Sequence, residues 1–266
     1  MAALKGVLFD LDDTLVPEME CEREALLIAC ELATERYGTD AQKMSVTVGE
    51  AASKLWALWS TPGMYSSIAY AGWEGLWGPP DVPETGLGND QETINKYKRD
   101  AWDVVLSVHG IQDVDLRDEI IERHRVERVA RIVPYEGAED VLGQVKREYP
   151  LAIVTNGAPA MQRFKLVRAG LSGYFSVVVA SGDVGVGKPN PLPFTTALDA
   201  LGITPTEAVM IGNSWSSDIQ GAAGLGMPSI WFNADRLERP SKGESPTAEA
   251  ESLQEIPRVI RDIASR

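Results

Sequence analysis

The sequence predicts an α/β fold: a doubly wound parallel sheet of Rossmann-like type, with a second, smaller all-helical unit inserted after the first strand. Three observations carry this. Residues 5–10 (Lys-Gly-Val-Leu-Phe-Asp) are a short apolar run ending in acids. Residues from about 18 to 132 carry helical periodicity and no strand pattern. From Pro134 onward, apolar runs of four or five residues alternate with helix-period segments. Strands separated by helices of about 10–12 residues build right-handed βαβ units.

Taken in order, residues 5–10 form the first strand. Residues 20–36 read as a helix closed by Tyr37-Gly38, and residues 48–59 as a second, stopped by Pro62-Gly63. A Gly/Pro-rich loop covers 78–88, and helices follow at 91–108 and 116–132. Then come a helix at 138–148, a strand at 151–155, a helix at 160–169 and a strand at 177–181. A helix at 191–201, a strand at 208–212, a helix at 217–225 and a strand at 229–232 continue the alternation. These strands are apolar on both faces (Val-Val-Val-Ala, Ala-Val-Met-Ile), as strands covered on both sides are. Residues 235–248 are polar and Pro-rich and read as a mobile loop. A last amphipathic helix places Leu253, Ile256, Ile260 and Ile263 on one side. The domain boundaries are therefore 1–16 plus 134–266 for the sheet and 17–133 for the insert.

Composition narrows the function. Apolar residues make up 44% and charged residues 24% of the 266, an ordinary soluble balance. No apolar run approaches the roughly 18 residues that span a bilayer, and the N-terminal apolar stretch is too short for a signal peptide. Cys21 and Cys30 lie nine residues apart on one predicted helix, too far to bond, so both are expected as reduced thiols. A cytoplasmic location follows as the expectation. The net charge of −14 argues against nucleic acid or an anionic membrane as partner. It leaves room for a small anionic substrate at a site whose local sign is reversed.

In open parallel sheets, ligands bind beyond the carboxyl ends of the strands. Asp10, Asp12 and Thr14 follow the first strand; Thr155, Asn156 and Gly157 follow the second. Lys188 comes later, and Asn213, Ser214 and Asp218 follow the fourth. Asp10 and Asp12 are two apart on an extended segment and project to the same side. Carboxylates at that range repel. Either a divalent cation satisfies both, or one stays ionised as a nucleophile while the other carries a proton. For a bare Asp-x-Asp, a solvated turn is an equal alternative.

The set DLDDTL, TNG, a lysine before proline, and GNSWSSD, each at a strand end or its following loop, resembles the four motifs of the haloacid dehalogenase superfamily. The core of the resemblance covers about 1–16 and 134–233. It implies that Asp10 attacks phosphorus, and that Asp12 protonates the leaving alcohol and then activates water. Asp10 and the Asp12 carbonyl would bind Mg2+, with Asp218 and Asn213 completing the metal site. Thr14 would bond to Asp12 or shape the turn. Thr155, Asn156 and Gly157, with Thr14, would serve the phosphoryl group, and Lys188 would neutralise charge beside Asp10. The insert resembles the family's helical cap, hinged near Val16-Pro17 and 132–134, which would close over a small substrate and exclude water. The implied protein is a magnesium-dependent phosphatase of a small-molecule phosphate ester, monomeric or homodimeric. Phosphatases of this family usually carry Gly-Asp where Gly212-Asn213 stands here; asparagine oxygen can ligate magnesium but without charge.

Rivals are weaker. GDVGVGK at 182–188 nearly matches a phosphate-binding loop, but Pro189 replaces the required hydroxyl residue. A 2-haloacid dehalogenase or a phosphonate hydrolase would lack Asp12, and a phosphomutase usually has an apolar residue in place of Thr14. A binding protein on a weakened scaffold draws support from Asn213 alone. His109 and His124 in the insert read as surface or partly buried side chains, and its five tryptophans (Trp56, Trp59, Trp73, Trp77, Trp102) as a small core.

Overall fold

The computed structural model describes residues 3–59, 64–78 and 91–265. The expected stop at Pro62-Gly63 and most of the Gly/Pro-rich loop lie outside them. The chain divides into two compact units, Met1–Pro17 with Val133–Arg266, and Glu18–Ile132.

The second unit is helical: α1 (Glu18–Tyr37), α2 (Ala41–Trp59), α3 (Met64–Ser67), α4 (Gly72–Trp77), α5 (Gln91–Val108) and α6 (Val114–Ala130). Its core joins Leu26, Ala29, Cys30, Met44, Val48, Tyr97, Trp102, Leu116 and Ile120. Both thiols are free and buried. Trp77 and Trp102 are fully buried and Trp56 is partly so, packed edge-on against Tyr97 with centroids 5.0 Å apart. α6 starts where it does because Asp113 Oδ1 accepts the Leu116 N–H at 2.9 Å. His124 is completely buried, contrary to the surface or half-buried position expected of it, because Glu22 Oε1 lies 3.2 Å from its Nε2.

The first unit carries six parallel strands in the order β3-β2-β1-β4-β5-β6. They are β1 (Gly6–Phe9), β2 (Leu151–Thr155), β3 (Val177–Ala180), β4 (Ala208–Gly212), β5 (Ser229–Phe232) and β6 (Ala248–Ala250). The register places Val7 beside both Leu151 and Val209. The helices are α7 (Ala138–Lys146), α8 (Pro159–Arg168), α9 (Ser181–Val184), α10 (Pro191–Leu201), α11 (Gln220–Gly224) and α12 (Ile256–Ala264). One sheet face buries Leu8, Ala152, Val154 and Met210 against Phe194, Ala197 and Leu198 of α10. α7 packs against α12, where Ile256, Ile260 and Ile263 are buried; Leu253 is buried too, in the turn before the helix. The strand order reverses direction at β1, which puts the ligand crevice between β1 and β4.

Three expectations are corrected. Residues 235–248 do not lead directly to the last helix: β6 adds an edge strand beside β5, with Asn233 N–H donating to Ala250 O at 2.8 Å. Ser181 leaves the strand and opens the single turn α9. The helix expected at 217–225 begins instead with a π-helical turn, Trp215–Ile219, in which the Ile219 N–H reaches back to Ser214 O at 3.2 Å. Among the described residues no helix is long and apolar enough to cross a membrane.

Candidate active site

β1 runs straight into the site. The Asp10 N–H still belongs to the sheet, donating to Ile211 O at 2.9 Å. The chain then turns sharply: Asp13 takes a left-handed φ of 55°, and the Leu15 and Val16 N–H groups both donate to Leu11 O. Asp10 is thereby fixed at a strand end and Asp12 at the rim of a turn.

Lys188 is the centre of the cluster. Its Nζ donates to Asp10 Oδ1 at 2.7 Å, to Asp218 Oδ1 at 2.6 Å and to the Val154 carbonyl at 2.7 Å. Those partners use its three protons. Burial disfavours the ammonium charge, but Asp10 and Asp218 outweigh it and hold Lys188 protonated. Asn156 clamps the same residue through its backbone: Asn156 Oδ1 accepts the Lys188 N–H at 2.7 Å and its Nδ2 donates to Lys188 O at 3.2 Å.

Asp218 reaches Lys188 from the π-turn, where its Oδ2 also accepts the Ser214 N–H at 3.0 Å. Burial pushes its carboxyl up to about 6 against the pull of Lys188, and the Asp10 charge adds to the push. Two carboxylates share one ammonium, so these three groups carry an excess negative charge inside the protein. Thr14, fully buried, ties the strand ends together: its Oγ1 donates to Asp10 Oδ2 at 3.2 Å and accepts the Asn213 N–H at 3.0 Å. Asn213 Oδ1 lies 3.4 Å from the same hydroxyl, and Trp231 Nε1 holds the Asn213 carbonyl at 2.8 Å.

The structure therefore brings Asp10, Thr14, Lys188, Asn213 and Asp218 into one connected network, with Asn156 attached through Lys188. Thr155 and Gly157 adjoin it with their polar groups engaged elsewhere. Thr155 Oγ1 donates to Gln162 Oε1 at 3.3 Å, and the Gly157 N–H donates to Ser181 Oγ at 2.8 Å. Gly157 turns with φ at 121°, a backbone that suits glycine. Asp12 takes a separate partner: Lys165 Nζ of α8 donates to its two carboxylate oxygens at 3.1 and 2.9 Å. The repulsion expected between Asp10 and Asp12 is thus met by pairing them with different ammonium groups, Lys188 and Lys165. Gln162, Lys165 and Ser181 escaped the sequence reading; the Gln-x-x-Lys spacing on α8 was the available signal, since it puts both side chains on one helix face.

The donor set also suits a hard cation. Asp10, Asp218, Asn213 and the Asp12 carbonyl offer oxygen only, and the excess negative charge would be offset by a divalent ion. Among the described residues no group of three or more acidic, His or Cys side chains is arranged to hold a metal ion by itself, so such a site would rest on two carboxylates, an amide and a carbonyl.

The open parallel sheet thus carries a buried carboxylate–ammonium–carboxylate cluster at its β1/β4 crevice. The chain belongs to the haloacid dehalogenase-like hydrolases, whose family model matches residues 4–226. It is 32% identical to phosphoserine phosphatase of Thermus thermophilus over 95% of this chain and 98% of that one. It is 27% identical to glyceraldehyde 3-phosphate phosphatase of Methanopyrus kandleri, covering 98% and 99% of the two chains. In fold it resembles the HAD hydrolase YfnB of Bacillus subtilis, solved with magnesium bound, at a TM-score of 0.66 and 20% identity over 97% and 99% of the chains. L-2-haloacid dehalogenase of Xanthobacter autotrophicus is a second fold neighbour, with a TM-score of 0.61 and 20% identity over 97% and 98%.

Proposed function

We propose that this hydrolase is a magnesium-dependent phosphatase that cleaves a small-molecule phosphate monoester through an aspartyl-phosphate on Asp10. The observation that carries the reading is Lys188, whose ammonium joins Asp10 of the β1 end to Asp218 of the β4 side. A carboxylate approaching a phosphoryl dianion is repelled, and a fixed cation beside the attacking oxygen reduces that repulsion without reorganisation. The phosphatase names of the relatives matched along nearly the whole chain point the same way.

Asp10 attacks phosphorus as the ester oxygen departs, so one P–O bond forms while another breaks. Asp12 gives that oxygen a proton. It then takes a proton from the water that attacks the aspartyl-phosphate, and inorganic phosphate leaves with Asp10 regenerated. Thr14 and Asn213 fix the face that Asp10 presents, and Asn156 fixes Lys188. When bound among Asp10, Asp218, Asn213 and the Asp12 carbonyl, Mg2+ would supply further charge neutralisation for the phosphoryl group. In this reading the helical unit is the specificity element, and small esters are preferred over phosphoproteins.

The test is a hydrolysis screen over aliphatic, sugar, amino-acid and nucleoside phosphates with magnesium, run beside Asp10→Asn. The expected outcome is turnover of at least one small ester, abolished by chelator and by the substitution. Turnover that survives Asp10→Asn removes the proposed nucleophile.

A further inference from the structure

The contact of Lys165 with Asp12 is more than a neighbouring ion pair. Lys165 is completely buried on α8, whereas the Asp12 side chain keeps 21% of its exposure. Burying a lysine costs free energy that a Leu or Met of similar volume would not. A partly exposed aspartate at a turn does not need a buried ammonium for its own solvation. The lysine meets both carboxylate oxygens, at 3.1 and 2.9 Å, which fixes the direction of the carboxylate as well as its charge. One turn earlier on the same helix, Gln162 is equally buried and accepts the Thr155 hydroxyl at 3.3 Å. A single helix face therefore reaches two strand ends of the site.

We propose that Lys165 is the positioning residue for the acid/base Asp12, holding its carboxylate where it can exchange protons with the leaving oxygen and then with water. The inference rests on the phosphatase reading. Lys165 touches neither phosphorus nor the leaving group in this account; it acts through Asp12.

The role leaves a kinetic signature that a loss of packing would not. With p-nitrophenyl phosphate the leaving phenolate needs no proton, so transfer to Asp10 proceeds without Asp12, while hydrolysis of the aspartyl-phosphate still requires it. In the presence of magnesium, Lys165→Met and Lys165→Gln should keep a burst of one p-nitrophenolate per site at near wild-type rate. Steady-state turnover should fall by about tenfold to a hundredfold, the size of a general acid–base contribution partly lost. In an Asp12→Asn background the same substitutions should cause no further loss, because the two residues act as one unit.

Three results overturn the inference: losses at Lys165 that multiply with those at Asp12, a burst rate that falls in step with turnover, or failure of both variants to fold. The last would make the lysine a requirement of folding alone. If Asp12→Asn, given p-nitrophenyl phosphate, releases no burst and accumulates no phosphorylated Asp10, the aspartyl-phosphate mechanism falls instead, and the Asp12–Lys165 cycle would still decide the coupling.

Discussion

Single residues in this site are held by close approach as much as by charge. Gly212 is the clearest case. A Cβ built there would lie 2.2 Å from Asp218 Oδ2 and 2.4 Å from its Cγ. Asp218 cannot swing aside, since Lys188 and the Ser214 N–H hold its two oxygens. Gly212→Ala must therefore displace either the end of β4 or the carboxylate that orients Lys188. We expect a stability loss of about 1–3 kcal/mol, as for overpacked sites generally. We also expect kcat/KM to drop by more than about tenfold, since a misplacement near 1 Å in a reacting constellation is expensive. Denaturant midpoints and steady-state kinetics on one preparation check both; unchanged kinetics would mean that the site accommodates the methyl group. At this scale the sequence was partly legible. Asp10, Thr14, Asn213 and Asp218 stand out because each follows an apolar strand or its loop. Lys165 does not, because a lysine on a ten-residue helix ordinarily lies at the surface, and only the docking of α8 over the strand ends buries it.

Whole elements were legible where their hydrophobic pattern was self-sufficient and obscure where tertiary contacts override it. β2, β4 and β5 run over the residues their apolar stretches predict. β6 is three residues, Ala-Glu-Ala, and exists because it pairs with β5 rather than through any preference of its own. α6 hides its most consequential residue. Its sequence, VDLRDEIIERHRVERVA, reads as a solvated charged helix, yet Arg128 is wholly buried. Arg128 pairs with Glu18, and its Nε lies 3.3 Å from Glu22 Oε2. Its guanidinium also stacks 4.6 Å from the centroid of Trp77. This joins α1, α4 and α6 through a buried charge cluster. Arg128→Met removes the cation and leaves two carboxylates in the interior, which should cost about 3–5 kcal/mol. Adding Glu18→Gln and Glu22→Gln should recover much of that loss, because the uncompensated charge goes with them. Hydrogen exchange of α1 and α6 reads the effect where it arises; equal protection in wild type and Arg128→Met would contradict it.

Across the whole molecule, the groups that make stability respond to alkali are concentrated in the helical unit. Burial lowers Lys98, whose Nζ donates to Gly78 O at 2.7 Å, to about 8 from the ordinary lysine value of 10.5; nearby Arg125 adds to the shift. Burial raises Cys21 to about 11 and Cys30 to about 12 from 9.0. Burial also raises Tyr97 well above its ordinary value. Between about pH 8 and 9 Lys98 leads among these groups: the unfolded chain holds its proton, the folded chain has released it, and stability rises with pH until ionisation of the unfolded thiols overtakes it. From about pH 9 the signs oppose. The unfolded chain loses two thiol protons that the folded unit keeps, while Lys98 still contributes one in the other direction. Two against one leaves a net fall of about 1.4 kcal/mol per pH unit, steepening above pH 10 as Tyr97 joins the thiols. The contribution of these groups therefore peaks near pH 9. Cys30→Ala removes one of the two opposing thiols and should flatten the slope between pH 9 and 10 to near zero, apart from its fixed packing cost. Denaturation with hydrogen exchange resolved by unit, stepped from pH 7.5 to 10.5, gives the measurement. A helical unit whose stability falls steadily from pH 8, or a Cys30→Ala protein with the wild-type slope, would show that other groups govern the alkaline response.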